Sequence, residues 1–92
     1  MNSIKIFHNH SYDKNTACGK AEQMLEELAS NYGLTIESTG DGTISFSGSG
    51  ITGTVTIDHN EIHISAKLSF LMIAMKQVIS NEIENKLNEK FI

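Results

Sequence analysis

Apolar residues in this chain recur first at helical spacing, then at every second position, then at helical spacing again, and that order restricts the fold more than any other feature. Ala17, Ala21, Met24, Leu25, Leu28 and Tyr32 fall on one helical stripe. From Leu34 to Leu68 the period is two: Leu34 and Ile36, then Ile44 and Phe46, then Ile51, Val55 and Ile57, then Ile62, Ile64, Ala66 and Leu68. Helical spacing returns with Leu71, Met72, Met75, Ile79, Ile83 and Leu87. Ile4, Ile6 and His8 alternate ahead of the first helix and read as an opening strand. The expected fold is therefore α+β in the order β-α-β-β-β-β-α, an antiparallel sheet with two long helices packed on one face, forming a single domain over residues 1–92.

Local signals set the boundaries. Asp13 is placed to cap the first helix, with Tyr12 before it and Ala17 inside it as a hydrophobic staple. Gly33 follows the last periodic residue, where a left-handed conformation ends a helix without a Cβ clash. Gly19 inside the helix costs about 1 kcal/mol relative to Ala, which suggests close packing on the sheet. Gly40-Asp41-Gly42, Gly48-Ser49-Gly50 and His59-Asn60 are short polar breaks suited to hairpins, so the four later strands are expected to form a meander. Their alternate positions, including Thr35, Glu37, Ser45, Ser47, Thr54, Thr56, Glu61, His63, Ser65 and Lys67, make the second sheet face polar. Gly53 reads as a bulge or a bend.

At 92 residues the chain has room for one core. Its 39% hydrophobic and 20% charged residues lie in the globular range. Eleven acidic side chains outweigh seven basic ones, all seven are Lys, and Arg is absent. Nucleic-acid binders concentrate cations, with Arg the preferred reader of phosphate and guanine, so no nucleic-acid partner is expected. Cys18 is the only cysteine, which excludes an internal disulfide, and the first ten residues lack the apolar core of a secretion signal. A cytoplasmic protein is expected. The longest strongly apolar stretch, residues 68–75, is far short of the ~20 needed to span a bilayer, so no transmembrane segment is expected.

Candidate chemistry is sparse. His8 and His10 form an His-x-His pair, but zinc needs three or four donors, and neither Asp13 nor Cys18 completes a standard spacing. The plainer reading has His10 packing against or capping the start of the first helix, and His10 is retained as a polar candidate. Cys18 sits beside the buried stripe with no oxyanion motif around it. Asp58, His59, Glu61 and His63 cluster at a hairpin, where turn polarity explains them. The glycine-rich turns feed no helix N-terminus and are not phosphate loops. The expectation is a protein with no enzymatic activity, no catalytic residues, no metal and no cofactor.

The most informative segment is residues 68–75. Phe70, Ile73, Ala74 and Val78 lie off the helical stripe, so the first turns of the last helix are apolar nearly all round. A single-layer sheet can bury only some of them. Phe70, Leu71, Ile73 and Ala74 are the candidate contact surface, open to three uses: core, a homodimer seam, or a docking patch for an apolar polymer surface or partner protein.

Several of these elements occur together in one known family. His10, the helix through Ala17, Ala21 and Glu22, Tyr32-Gly33, Gly40-Asp41 with Ile44 and Phe46, Gly50-Ile51 with Gly53, and then Leu68, Phe70, Leu71 and Lys76 resemble the putative polyhydroxyalkanoic acid system family, small bacterial proteins often encoded near polyester storage-granule genes. The chain departs from that pattern at Ser69 and Ala74, where the family usually has Gly and Pro. The resemblance implies a non-enzymatic accessory or binding protein associated with polyhydroxyalkanoate granules, with a granule surface or granule protein as its partner. Two other uses stand beside it: binding a small hydrophobic ligand between helices and sheet, and association with RNA or the ribosome. The second would need Lys5, Lys14, Lys20 and Lys67 on one surface.

Overall fold

A computed structural model describes residues 3–39 and 42–91. The element order is β1 (Ser3–Asn9), α1 (Lys14–Tyr32), β2 (Thr35–Ser38), β3 (Thr43–Gly48), β4 (Ile51–Ile57), β5 (Glu61–Leu68), a short 3₁₀ segment (Phe70–Met75) and α2 (Lys76–Lys90). The five strands form one sheet in the order β1-β5-β4-β3-β2, antiparallel throughout. The expected meander runs from β2 to β5, and β1 closes the sheet beside β5. The break at Gly40-Asp41 lies outside the described residues.

Helix α1 forms where its stripe and caps place it. The Asp13 carboxylate accepts from the Thr16 N–H and the Thr16 hydroxyl. Gly33 takes a left-handed conformation (φ 68°), and the Leu34 N–H reaches back to the Ala29 carbonyl at 3.1 Å, the 6→1 bond of a Schellman ending. Ala17, Ala21, Met24, Leu25 and Leu28 are buried. Gly19 is not at a close contact: a Cβ there would meet nothing within 4 Å, so this glycine is on the solvent side of α1 rather than against the sheet.

The two helices and the inward sheet face share one core. Ile44, Phe46, Ile51, Val55, Ile57, Ile62, Ile64 and Leu68 join Ile79, Ile83 and Leu87 of α2, each 5% exposed or less. These side chains fill the middle of the space between the helices and the sheet. Across the helix pair, Lys86 and Lys90 of α2 meet the Glu27 carboxylate of α1 at 2.9 and 2.6 Å.

The β3–β4 connection is a two-residue turn with Ser49 (φ 53°) and Gly50 (φ 82°) both in the positive region, the type I′ geometry that matches strand twist. Gly53 makes no bulge. The register runs unbroken through it, pairing it with Phe46 on one side and Ala66 on the other. A Cβ at Gly53 would lie 2.5 Å from Phe46 Cζ and 2.5 Å from the Ser65 carbonyl oxygen. The glycine is there because a neighbouring ring and backbone occupy the space a side chain would need.

The last helix starts later than the sequence period indicates. Residues 70–75 wind as 3₁₀ and the α-helix begins at Lys76. At three residues per turn, positions i and i+3 stack. Met72 and Met75 then share one edge, Phe70 and Ile73 a second, and Leu71 and Ala74 a third. Met72 packs against the core, whereas Leu71, expected on the core stripe, is 85% exposed and Met75 is 38% exposed. The tighter winding rotates Leu71 away from the stripe that α-helical spacing would give it.

Candidate docking surface

The exposed apolar segment is held in place by its approach to the β3–β4 turn. The Ser69 N–H donates to the Gly50 carbonyl at 2.8 Å, and the Met72 N–H donates to the Ser69 carbonyl at 2.9 Å. A Cβ on Gly50 would come within 2.5 Å of Ser69 Oγ and 2.9 Å of Met72 Cγ, so turn and segment are in close contact there. Met72 tucks under this contact. The remaining side chains point outward: Phe70 is 86% exposed, Leu71 85% and Ile73 40%, and Ala74 is exposed as well. Val78, one turn into α2, is 51% exposed and extends the patch, though its sequence position off the buried stripe was the only signal of this.

All four candidate contact residues are thus brought together on the two outward edges of one 3₁₀ segment. Soluble domains scatter single exposed apolar residues freely, whereas several in one contiguous run are uncommon. Charge around the run is one-sided. Residues 62–81 hold Lys67 and Lys76 and no Asp or Glu, although the chain as a whole carries −4.

His10 lies at the other end of the molecule. Its backbone N–H donates to the Asn60 carbonyl at 2.9 Å. Its Nδ1 accepts from the Tyr12 N–H at 3.2 Å, which leaves the proton on Nε2 to donate to the Asp58 carbonyl at 3.0 Å. Both ring nitrogens are occupied. Buried to 8% exposure and flanked by Tyr12 and Phe91 at 6.4 and 5.9 Å, the ring fastens the end of β1 to the β4–β5 turn. The expected contact with the start of α1 is therefore made through Tyr12, while Asp13 does the capping. His8 faces inward, half-buried, with its ring 6.1 Å from Phe91. Among the described residues no three His, Cys, Asp or Glu side chains are grouped to hold a metal ion.

The open sheet face is lined by hydroxyls. Ser45, Ser47, Thr52, Thr54 and Ser65 line a shallow trough of about 380 Å³, with Glu37 and Lys67 toward opposite edges. Lys5 and Lys67 are diagonal neighbours on β1 and β5 of this face, whereas the Lys20 ammonium lies over the Tyr12 ring at 4.7 Å and Lys14 lies against Gly42. The four lysines do not converge on one surface.

Shifted ionisations mark structural ties. Hydrogen bonds from Lys90 and Lys86 lower Glu27 to about 2. Partial burial, reinforced by the Glu82 carboxylate that accepts its hydroxyl at 2.8 Å, raises Tyr32 above the usual phenol value.

The family model of putative polyhydroxyalkanoic acid system proteins matches residues 4–91, nearly the whole chain. The chain belongs to this family. No curated protein matches it. The family match spans β1 through Phe91, so it includes both the His10 clasp and the exposed segment. No helix among the described residues is long and apolar enough to cross a membrane.

Proposed function

We propose that this family member is a non-enzymatic accessory protein of a polyhydroxyalkanoate storage system, acting in the cytoplasm and docking on the granule surface through Phe70, Leu71, Ile73 and Ala74, with Val78 extending the contact. The observation that carries this reading is the outward exposure of those side chains on a segment fixed at Ser69 and Met72. A segment pinned at Ser69 and Met72 meets a surface with little further ordering, which lowers the entropic cost of contact. Family membership supplies the system in which the surface is sought.

Burying a large apolar side chain contributes about 1.5–3 kcal/mol, and Phe70 and Leu71 are the most exposed of the set. The variant Phe70→Asp/Leu71→Asp should therefore lower partitioning onto purified granules at least about tenfold, since 1.4 kcal/mol is a factor of ten. Its melting temperature should stay near that of the parent, because neither side chain is in the core. Equal partitioning of parent and variant removes the proposal. Light scattering on the same pair tests the homodimer seam: a parent dimer that the variant converts to a folded monomer assigns the patch to self-association.

A further inference from the structure

The charge distribution around the patch indicates what kind of surface it meets. Lys67 is the penultimate residue of β5, Lys76 opens α2 just after the segment, and Lys5 sits diagonally across from Lys67 on the outward face of β1. All eleven acidic residues lie outside residues 62–81. Glu82, the first acid beyond, accepts hydrogen bonds from Asn31 and Tyr32 at 2.9 and 2.8 Å. Glu61 is at the far end of β5, about 20 Å from Lys67 at ~3.4 Å per residue. Glu37 is three strands away, about 14 Å at ~4.8 Å per strand. Both distances exceed the ~8–10 Å over which charges act at ordinary ionic strength. Glu82 lies about 9 Å along α2 from Lys76 at ~1.5 Å per residue, so the basic side of the patch is the sheet side, where Lys5 and Lys67 stand.

We infer that the surface met by the patch is an anionic phospholipid interface, with Phe70 and Leu71 entering the acyl layer and Lys5 and Lys67 against the headgroup phosphates. The inference rests on the patch being the docking surface and adds the chemistry of what it docks on. Apolar side chains flanked by lysines bind an anionic lipid boundary by combining buried apolar area with attraction to the headgroups. A bare polyester surface is neutral and makes no use of the cations. A twofold dimer through the patch would bring the Lys67 side chains of both copies toward one another, a like-charge arrangement that disfavours self-association.

Cosedimentation with phosphatidylglycerol vesicles and with phosphatidylcholine vesicles tests this directly. The parent protein should bind the anionic vesicles at least about tenfold more tightly, and more weakly as salt is raised. Lys67→Gln, an exposed strand position that tolerates the change, should lower binding to phosphatidylglycerol about fivefold. Phe70→Asp/Leu71→Asp should abolish binding to both. Equal binding to the two lipids, or no effect of Lys67→Gln, overturns the inference. Binding to granules but to neither vesicle also overturns it while leaving the docking reading in place. Phosphatidylglycerol binding without granule partitioning sustains the lipid chemistry and removes the granule. A parent dimer dissolved by the Phe70/Leu71 variant, with no vesicle binding, removes both.

Discussion

One added methyl group at two glycines of this chain should change stability in opposite directions, and the sign is set by what surrounds each. Replacing Gly by Ala ordinarily stabilises by about 0.4–1 kcal/mol where the backbone allows it, because the unfolded chain loses freedom. At Gly19 nothing lies within 4 Å of the new Cβ and the position is helical, so Gly19→Ala should stabilise by about 0.5–1 kcal/mol. At Gly53 the same Cβ would lie 2.5 Å from Phe46 Cζ, 2.5 Å from the Ser65 carbonyl oxygen and 3.0 Å from the Ala66 Cα. The ring can tilt. The Ser65 oxygen and Ala66 Cα belong to β5 backbone held between β1 and β4, and can yield only by distorting two ladders. Overpacking of this kind costs about 1–3 kcal/mol, which exceeds the entropic gain. For a domain of 60–100 residues each kcal/mol shifts the melting temperature by about 4–8 °C. Thermal unfolding followed by circular dichroism should therefore show Gly53→Ala melting lower by several degrees or more, and Gly19→Ala melting a few degrees higher. Phe46→Leu combined with Gly53→Ala should be less destabilised than the sum of the two singles, because the shorter side chain removes one of the two clashes. A Gly53→Ala protein that melts at or above the parent temperature would refute the reasoning.

Other ties give further outcomes. His10→Ala removes the ring's hydrogen bonds with the Tyr12 N–H and the Asp58 carbonyl, both part-buried, so it should cost about 2–3 kcal/mol in urea unfolding, with no loss of vesicle or granule binding. Glu27, held at about 2 against an ordinary 4.5, contributes stability that is fully present above pH 4.5 and is lost as pH falls through about 2. Glu27→Gln should remove that part of the acid dependence, read as urea midpoints between pH 5 and pH 2 that fall less steeply than in the parent.

The helix boundaries at Asp13 and Gly33 were legible because capping is local chemistry: the Asp13 carboxylate reaches an N–H three residues on, and Gly33 relieves a clash with its own backbone. The inward and outward sheet positions were legible for the same reason, since period two fixes which side chains share a face. Gly19 and Gly53 were misread because a glycine's purpose lies in what occupies the space beside it, and that neighbour comes from another strand or is absent. His10 was recognisable as a polar residue near a helix start, but its partner Asp58 is 48 residues away in sequence.

The apolar excess of residues 70–75 was visible in the sequence, and Phe70, Leu71, Ile73 and Ala74 followed from it. Which side of the chain they face was not. Helical spacing places Leu71 and Met75 beside Ile79, whereas the contact of Ser69 and Met72 with Gly50 goes with a 3₁₀ winding that turns Leu71 outward. The sequence by itself determined the element order, the caps and the composition of each face, because these depend on near neighbours and on periodicity. Only the tertiary structure decided the pairing of β1 with β5, the space reserved at Gly53 and the exposure of the final apolar segment, because each depends on residues far apart in the chain coming within a few ångströms.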